Sequence, residues 1–151
     1  MGYSYQIYEV AKRFIGLKEI PGEKDNPFIQ WCFSLCGYPM NTPDEVPWCG
    51  VWVEGMLFIC GRERSKSASA RSHLLIGEPV KLEDAELGDI VILKRGKEPQ
   101  PDASVINALG HVGFFGGLVG DSRISLLGGN QGNQVSILPF PITSILGIRR
   151  V

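Results

Sequence analysis

The sequence has very little histidine, no long apolar run and no surplus of charge of one sign. Only two of its 151 residues are histidines, and 15 Lys and Arg stand against 16 Asp and Glu, for a net charge of -1. This balance lacks the concentrated positive charge of a dedicated nucleic-acid-binding domain. Because histidine is so scarce, any chemistry that needs an imidazole must use His73 or His111.

Signals for export and membrane insertion are also missing. No stretch approaches the roughly 18 apolar residues that span a bilayer, and the N-terminus lacks a basic region followed by an apolar segment. We therefore expect a protein that is made in the cytoplasm and does not insert into a membrane. Its four cysteines are expected to be reduced, so disulfides are not predicted.

The length and the 44% hydrophobic content favour one globular domain over residues 1–151. Apolar residues at helical spacing predict a first helix over residues 5–15. Asn26 as N-cap and Pro27 at the first position predict a second helix, which Gly37 ends. A third, nearly all-apolar helix is predicted over 47–60, with Pro47 in its first turn and Gly61 just past its end, and a short helix over 67–76.

Beyond residue 76 the pattern changes to short β-rich runs separated by Gly, Pro, Asn or Asp. The predicted strands are 89–93, 112–115, 123–127, 134–138 and 146–150, and 96–107 is predicted as a long loop. Helices over 1–76 followed by strands over 77–151 favour an α+β fold, with the helices packed on an antiparallel sheet of about five to six strands.

Cys49 follows Pro47 and Trp48 in the first turn of the predicted third helix. Free backbone N–H groups and the positive end of the helix dipole stabilise a thiolate there, which predicts a pKa below the reference of about 8.5 and a nucleophilic cysteine. The alternative is that cysteine packs as a small apolar residue. We expect that packing role for Cys32, Cys36 and Cys60, which lie on apolar helix faces.

Two further segments carry candidate partners for a nucleophile. His111 stands between glycines at a strand end, where a substrate can approach, although a structural role is equally open. His73 is predicted to be a surface or capping residue. The glycine-rich run that contains Asn130 lacks the Lys-Ser/Thr ending of a phosphate loop, so it is either a tight hairpin or the source of an amide that orients His111. Cysteine, histidine and amide in this order are typical of thiol acyl-transfer enzymes.

Five motifs together resemble one family, the cysteine, histidine-dependent amidohydrolase/peptidases (CHAP), in the small phage-endolysin branch close to the NlpC-type peptidases. The resemblance runs from about residue 16 to residue 149. Its motifs are Glu19-Ile20-Pro21-Gly22, Glu45-Val46-Pro47-Trp48-Cys49-Gly50, Leu87-Gly88-Asp89-Ile90-Val91, Gly110-His111-Val112-Gly113 and Gly128-Gly129-Asn130-Gln131.

The resemblance implies a papain-like fold and hydrolysis of an amide bond in peptidoglycan, as an N-acetylmuramoyl-L-alanine amidase or a stem-peptide endopeptidase. It implies Cys49 as nucleophile, His111 as base and Asn130 as third member. Many relatives have a glutamate two residues before that asparagine, where this chain has Gly128. Some relatives have an aspartate-rich calcium loop, but residues 22–26 are too poor in carboxylates for one.

Other roles in this mechanism are expectations of the same kind. The Cys49 N–H is expected to stabilise the oxyanion, with Gln131 or a residue near Glu45 as second donor. Glu45 and Trp48 are expected to line the substrate groove, although Trp48 is equally compatible with the core. The predicted protein is a monomer that needs no cofactor or metal, has peptidoglycan as its partner, and reaches the periplasmic wall after release or delivery.

Three alternatives remain open at this point. An antibacterial toxin injected into a competitor would use the same amidase chemistry. A wall-binding or virion module would retain the fold without turnover. A zinc site could take two of its four ligands from Cys32 and Cys36, but the sequence contains no second Cys or His pair at ligand spacing to supply the other two.

Overall fold

The computed structural model describes residues 3–21, 25–43 and 47–151. The helices come first in the chain: α1 is Tyr5–Lys12, α2 is Pro27–Leu35 and α3 is Cys49–Ile59. A 3₁₀ helix, Ala70–Leu75, leads into the sheet. The strands are β1 Glu78–Pro79, β2 Ile90–Lys94, β3 Gly110–Val119, β4 Arg123–Gly128, β5 Ser136–Pro141 and β6 Ile145–Arg150, with short 3₁₀ turns at Leu82–Asp84 and Ile142–Ser144.

The six strands form one antiparallel sheet in the order β1-β6-β2-β3-β4-β5. The predicted α+β class is confirmed, and each of the five predicted strands has a counterpart. The two-residue β1 was not predicted, because a pair this short carries no alternation of apolar and polar residues.

The start of α2 follows its sequence signals. The Asn26 side chain accepts hydrogen bonds from the N–H groups of Phe28 and Ile29, and Pro27 is the first helical residue. The predicted start of α3 was wrong by two residues, because Trp48 has non-helical dihedral angles and is the N-cap. Pro47 therefore lies outside the helix and Cys49 is its first residue. The predicted helices over 5–15 and 67–76 are shorter than expected, and the latter is a 3₁₀ helix.

The main core lies between the helices and one face of the sheet, and α3 runs through it. Trp52, Val53, Met56 and Leu57 of α3 are fully buried together with Phe114 of the sheet. A smaller cluster covers the opposite face of the sheet. A Cβ at Gly129 would lie 2.7 Å from the Trp48 ring, so this glycine allows the end of β4 to approach the first turn of α3. The close approach brings the start of α3 to the edge of β3 and β4.

All four cysteines are unpaired. Cys32 packs against Gly55, where an added Cβ would lie 2.7 Å from its sulfur, so it has the expected packing role. Within residues 3–21, 25–43 and 47–151, every helix is too short or too polar to reach across a bilayer.

Candidate active site

Cys49 begins α3 and is only 4% exposed, at one wall of a cavity of about 320 Å³. The helix has no side-chain cap, so the N–H groups of its first turn are not occupied by a capping side chain. Backbone N–H groups of Val112, Gly50 and Cys49 itself lie near the thiol and act to lower its pKa. Val112 belongs to β3, so the thiol lies beside this strand, next to the residue that follows His111.

The expected direction of the Cys49 pKa was wrong. Burial raises the pKa of this thiol above its usual value and outweighs the backbone N–H groups and the charge of Arg95, which lower it. Burial disfavours the charged form, and here it acts more strongly than the helix N-terminus. The resting cysteine is therefore a neutral thiol that needs a base.

His111 lies at the start of β3, opposite Leu93 of β2, and is partly buried. Burial lowers the pKa of its imidazole below the usual value, the hydrogen bond to Gln131 raises it, and the charge of Arg95 lowers it further. The ring is therefore neutral at pH 7. Both residues are described by the structure, and Cys49 and His111 have no direct hydrogen bond between them in this resting state. Catalytic hydrogen bonds often close only when substrate binds.

Gln131 holds the His111 ring. Its Oε1 lies 2.9 Å from His111 Nε2, while its amide nitrogen donates to the carbonyls of Leu126, at 3.2 Å, and Ser136, at 2.8 Å. Because both amide hydrogens go to carbonyl oxygens, the amide oxygen must face the ring, and a carbonyl oxygen only accepts. Nε2 therefore carries the proton, and Nδ1 presents a lone pair that can accept the thiol proton.

The structure places the side chain of Gln131, and not that of Asn130, against the His111 ring. Among the described residues, Gln131 is the hydrogen-bond partner of the His111 ring, and Asn130 only lines the cavity beside it. Asn130 adopts a left-handed φ of 58°, which turns the chain so that the next side chain reaches the imidazole. A Cβ at Gly128 would overlap Gln131 Oε1 and lie 3.4 Å from His111 Nε2. Glycine at position 128 therefore leaves the space that the Gln131 side chain occupies.

The expected substrate contacts also change. Trp48 is fully buried and its indole N–H donates to Glu19 at 2.9 Å, so it belongs to the core and not to a groove. Gln131 is excluded as the second oxyanion donor because both of its amide hydrogens are already bound. Glu45 and residues 22–24, part of the segment considered for calcium, lie outside the described residues.

Arg71 anchors the segment that leads to the Cys49 cavity, a role that the sequence did not indicate. Its side chain is fully buried and donates to four backbone carbonyls, those of Leu109 at 2.8 Å, Asp102 at 2.7 Å, Pro101 at 3.1 Å and Val105 at 3.3 Å. These bonds hold the predicted long loop against the 3₁₀ helix. Residues 107–109, at the end of this segment, line the Cys49 cavity, and Gly110 and His111 follow them in the chain.

His73 is not a surface residue as expected, since it is fully buried and lies 3.0 Å from Glu54 Oε2 in the middle of α3. Burial raises the pKa of Glu54, but the hydrogen bond and charge of His73, with the N–H groups of Lys66 and Ser65, bring it below its usual value. The other His73 nitrogen faces the carbonyl of Ala70 at 3.0 Å. This network attaches the segment after α3 to the helix that carries Cys49, and it leaves His111 as the histidine of the site.

In the described parts of the chain, no group of three or more His, Cys, Asp or Glu side chains is arranged to hold a metal ion. The arrangement consists instead of a thiol, an imidazole with a fixed tautomer and the N–H groups of a helix start.

Comparison with known proteins finds similarity only among solved structures. No protein-family model matches the sequence, and no curated protein matches it. Among solved structures, NlpC1 from Trichomonas vaginalis is similar over 99% of this chain and 45% of that chain, with 17% sequence identity and a TM-score of 0.48. The chain thus spans less than half the length of that protein.

Proposed function

We propose that this protein is a cysteine-dependent hydrolase that cleaves an amide bond in bacterial peptidoglycan. The observation that carries the proposal is the Gln131–His111 hydrogen bond, in which the anchored amide fixes the protonated nitrogen and leaves the lone pair on Nδ1. The next residue, Val112, has its backbone N–H near the Cys49 thiol. A structural histidine would not need a neutral, pre-oriented ring beside a buried thiol.

The reaction follows from this resting state. As substrate binds, His111 Nδ1 takes the proton of the Cys49 thiol while the sulfur attacks the amide carbonyl. The Cys49 backbone N–H, at the uncapped start of α3, is the proposed donor to the oxyanion. The C–N bond breaks as His111 passes its proton to the leaving amine. Water then attacks the thioester, His111 accepts its proton, and the carboxylic acid leaves as the Cys49 thiol re-forms.

Peptidoglycan is proposed as the substrate because the motifs around Cys49, His111 and Gly128 resemble those of wall-cleaving amidases and endopeptidases. The cavities are open at the surface and contain both apolar and polar side chains, as a peptide substrate requires. We further propose that the protein acts as a monomer and reaches the wall after release by a lysing phage or after injection as an antibacterial toxin, since the chemistry of the site suits both settings.

The test is release of soluble muropeptides from purified sacculi. Cys49→Ala should abolish release and leave the thermal unfolding temperature within a few degrees of wild type, because a small buried side chain is replaced by another. Cys60→Ala is the matched control, since this half-buried thiol lies at the far end of α3, and it should retain activity.

Two results would contradict the proposal. Release by folded Cys49→Ala at the wild-type rate would exclude the thiol mechanism. Wild-type protein that sediments with sacculi and releases nothing would favour the wall-binding module instead.

A further inference from the structure

Arg95 lies where the cavities of the nucleophile and the base meet. It directly follows β2 and lines both the Cys49 cavity, of about 320 Å³, and the His111 cavity, of about 200 Å³. Among the described residues, it is the one that the two linings share. A group bound by Arg95 would therefore lie next to the scissile bond.

The charge of Arg95 is available to a ligand. Its side chain is exposed, and among the described residues no carboxylate forms an ion pair with it. The neighbouring Lys94 differs, because its Nζ lies 3.9 Å from Glu98. Within the described residues, neither cavity is lined by Asp or Glu. The walls on both sides of the scissile bond thus favour a negatively charged group.

The proposed mechanism determines on which side of the scissile bond that group belongs. His111 protonates the leaving amine, so the leaving residue must lie on the His111 side. That cavity combines Lys94, Arg95 and Asn130 with the apolar side chains of Leu138 and Phe140. Apart from Arg95, the described residues that line the Cys49 cavity are uncharged, among them Ser69 and Leu109. An anionic leaving residue with an apolar chain fits this division.

We infer that Arg95 binds a free carboxylate on the same carbon that carries the leaving amine. This inference rests on the function proposed above and narrows its substrate class. In an ordinary internal peptide bond that carboxyl group is itself blocked as an amide. It is free when the leaving unit is a C-terminal amino acid, or when the amine belongs to a diamino diacid that cross-links two peptides. Arg95 therefore selects an endopeptidase-type bond over the amide that joins muramic acid to the stem peptide.

The test uses three cross-linked peptides that differ at one position. In each peptide, D-alanine acylates an amine of the leaving unit. In the first peptide this unit is diaminopimelate with a free carboxylate on the amine-bearing carbon. The second has a carboxamide in place of that carboxylate, and the third has lysine, with hydrogen at that position. Wild-type protein should cleave the first peptide with a kcat/KM about ten-fold or more above the other two, as expected for a charge-assisted bidentate contact.

Arg95→Gln should reduce that ratio to about one, mainly by slowing cleavage of the free-carboxylate peptide. Lys97→Gln is the control. It removes a nearby cation whose side chain lines neither cavity, so this variant should keep the wild-type ratio. Equal cleavage of all three peptides by wild type, or a ratio retained in Arg95→Gln, would overturn the inference. So would a ratio lost in Lys94→Gln and kept in Arg95→Gln, which would assign the carboxylate to Lys94.

The two proposals fail in different ways. Cleavage of all three peptides that depends on Cys49, without preference, removes only the role of Arg95. Cleavage confined to the muramoyl amide of sacculi also removes only that role. If the protein hydrolyses neither the peptides nor sacculi, the proposed function itself is refuted.

Discussion

Replacement of Gln131 by methionine tests whether this amide, and not Asn130, orients the base. Methionine is similar in length and unbranched, but it neither accepts from His111 Nε2 nor donates to the carbonyls of Leu126 and Ser136. Asn130→Gly is the matched control. It removes the neighbouring amide, and glycine tolerates the left-handed φ of 58° at that position.

The hydrogen bonds set the expected magnitudes. The buried carbonyl of Leu126 and the partly buried carbonyl of Ser136 each lose a donor. At about 1 to 2 kcal/mol each, the free energy of unfolding should fall by about 2 to 4 kcal/mol. For a domain of this size, that lowers Tm by about 5 to 15 °C. The lost hydrogen bond to an imidazole that becomes charged in the transition state is worth about 1.5 to 3 kcal/mol, so kcat/KM should fall about 10- to 100-fold.

The assay is the initial rate of muropeptide release at a temperature well below the Tm of the variant, with folding checked by circular dichroism. Asn130→Gly should stay within about three-fold of wild type. The reasoning is refuted if Asn130→Gly loses as much activity as Gln131→Met. It is equally refuted if folded Gln131→Met keeps the wild-type rate.

Two further predictions follow from the buried base and from the loop that precedes it. His111 acts as a base when its ring is neutral, and burial lowers the pKa of that ring. The value of kcat/KM should therefore rise with pH through a midpoint below 6.5 and be level at pH 7. A midpoint above 6.5 in the pH profile would contradict this prediction. Arg71→Met should free the four carbonyls that Arg71 binds, so that limited proteolysis cuts within residues 96–109 faster than in wild type and the KM for substrate rises. Arg13→Met, away from the site, is the control. An unchanged rate of proteolysis in Arg71→Met would contradict the role of Arg71.

The local signals in the sequence predicted much of the fold. Periodicity located the strands, and Asn26 with Pro27 predicted the start of α2, because capping and strand alternation depend on neighbours in the chain. The position of Cys49 at a helix start and of His111 at a strand start followed in the same way.

The errors concern contacts between distant segments. A helix N-terminus lowers a cysteine pKa, but the net direction for Cys49 depends on how much of the fold covers the thiol. His73 was assigned to the surface because its partner Glu54 is 19 residues away. One signal was present: a lone carboxylate in the nearly all-apolar α3 requires a buried partner.

The sequence by itself determined the α+β order of elements and the residue types of the site, a thiol, an imidazole and an amide. The tertiary structure decided which amide contacts His111, because Asn130 and Gln131 are adjacent in the chain. The backbone turn at Asn130 and the space beside Gly128 bring the Gln131 side chain to the ring. It also decided that Arg95 faces both cavities, since that position depends on how β2 ends beside α3 and β3. Pattern along a chain specifies elements, whereas distances between elements depend on packing.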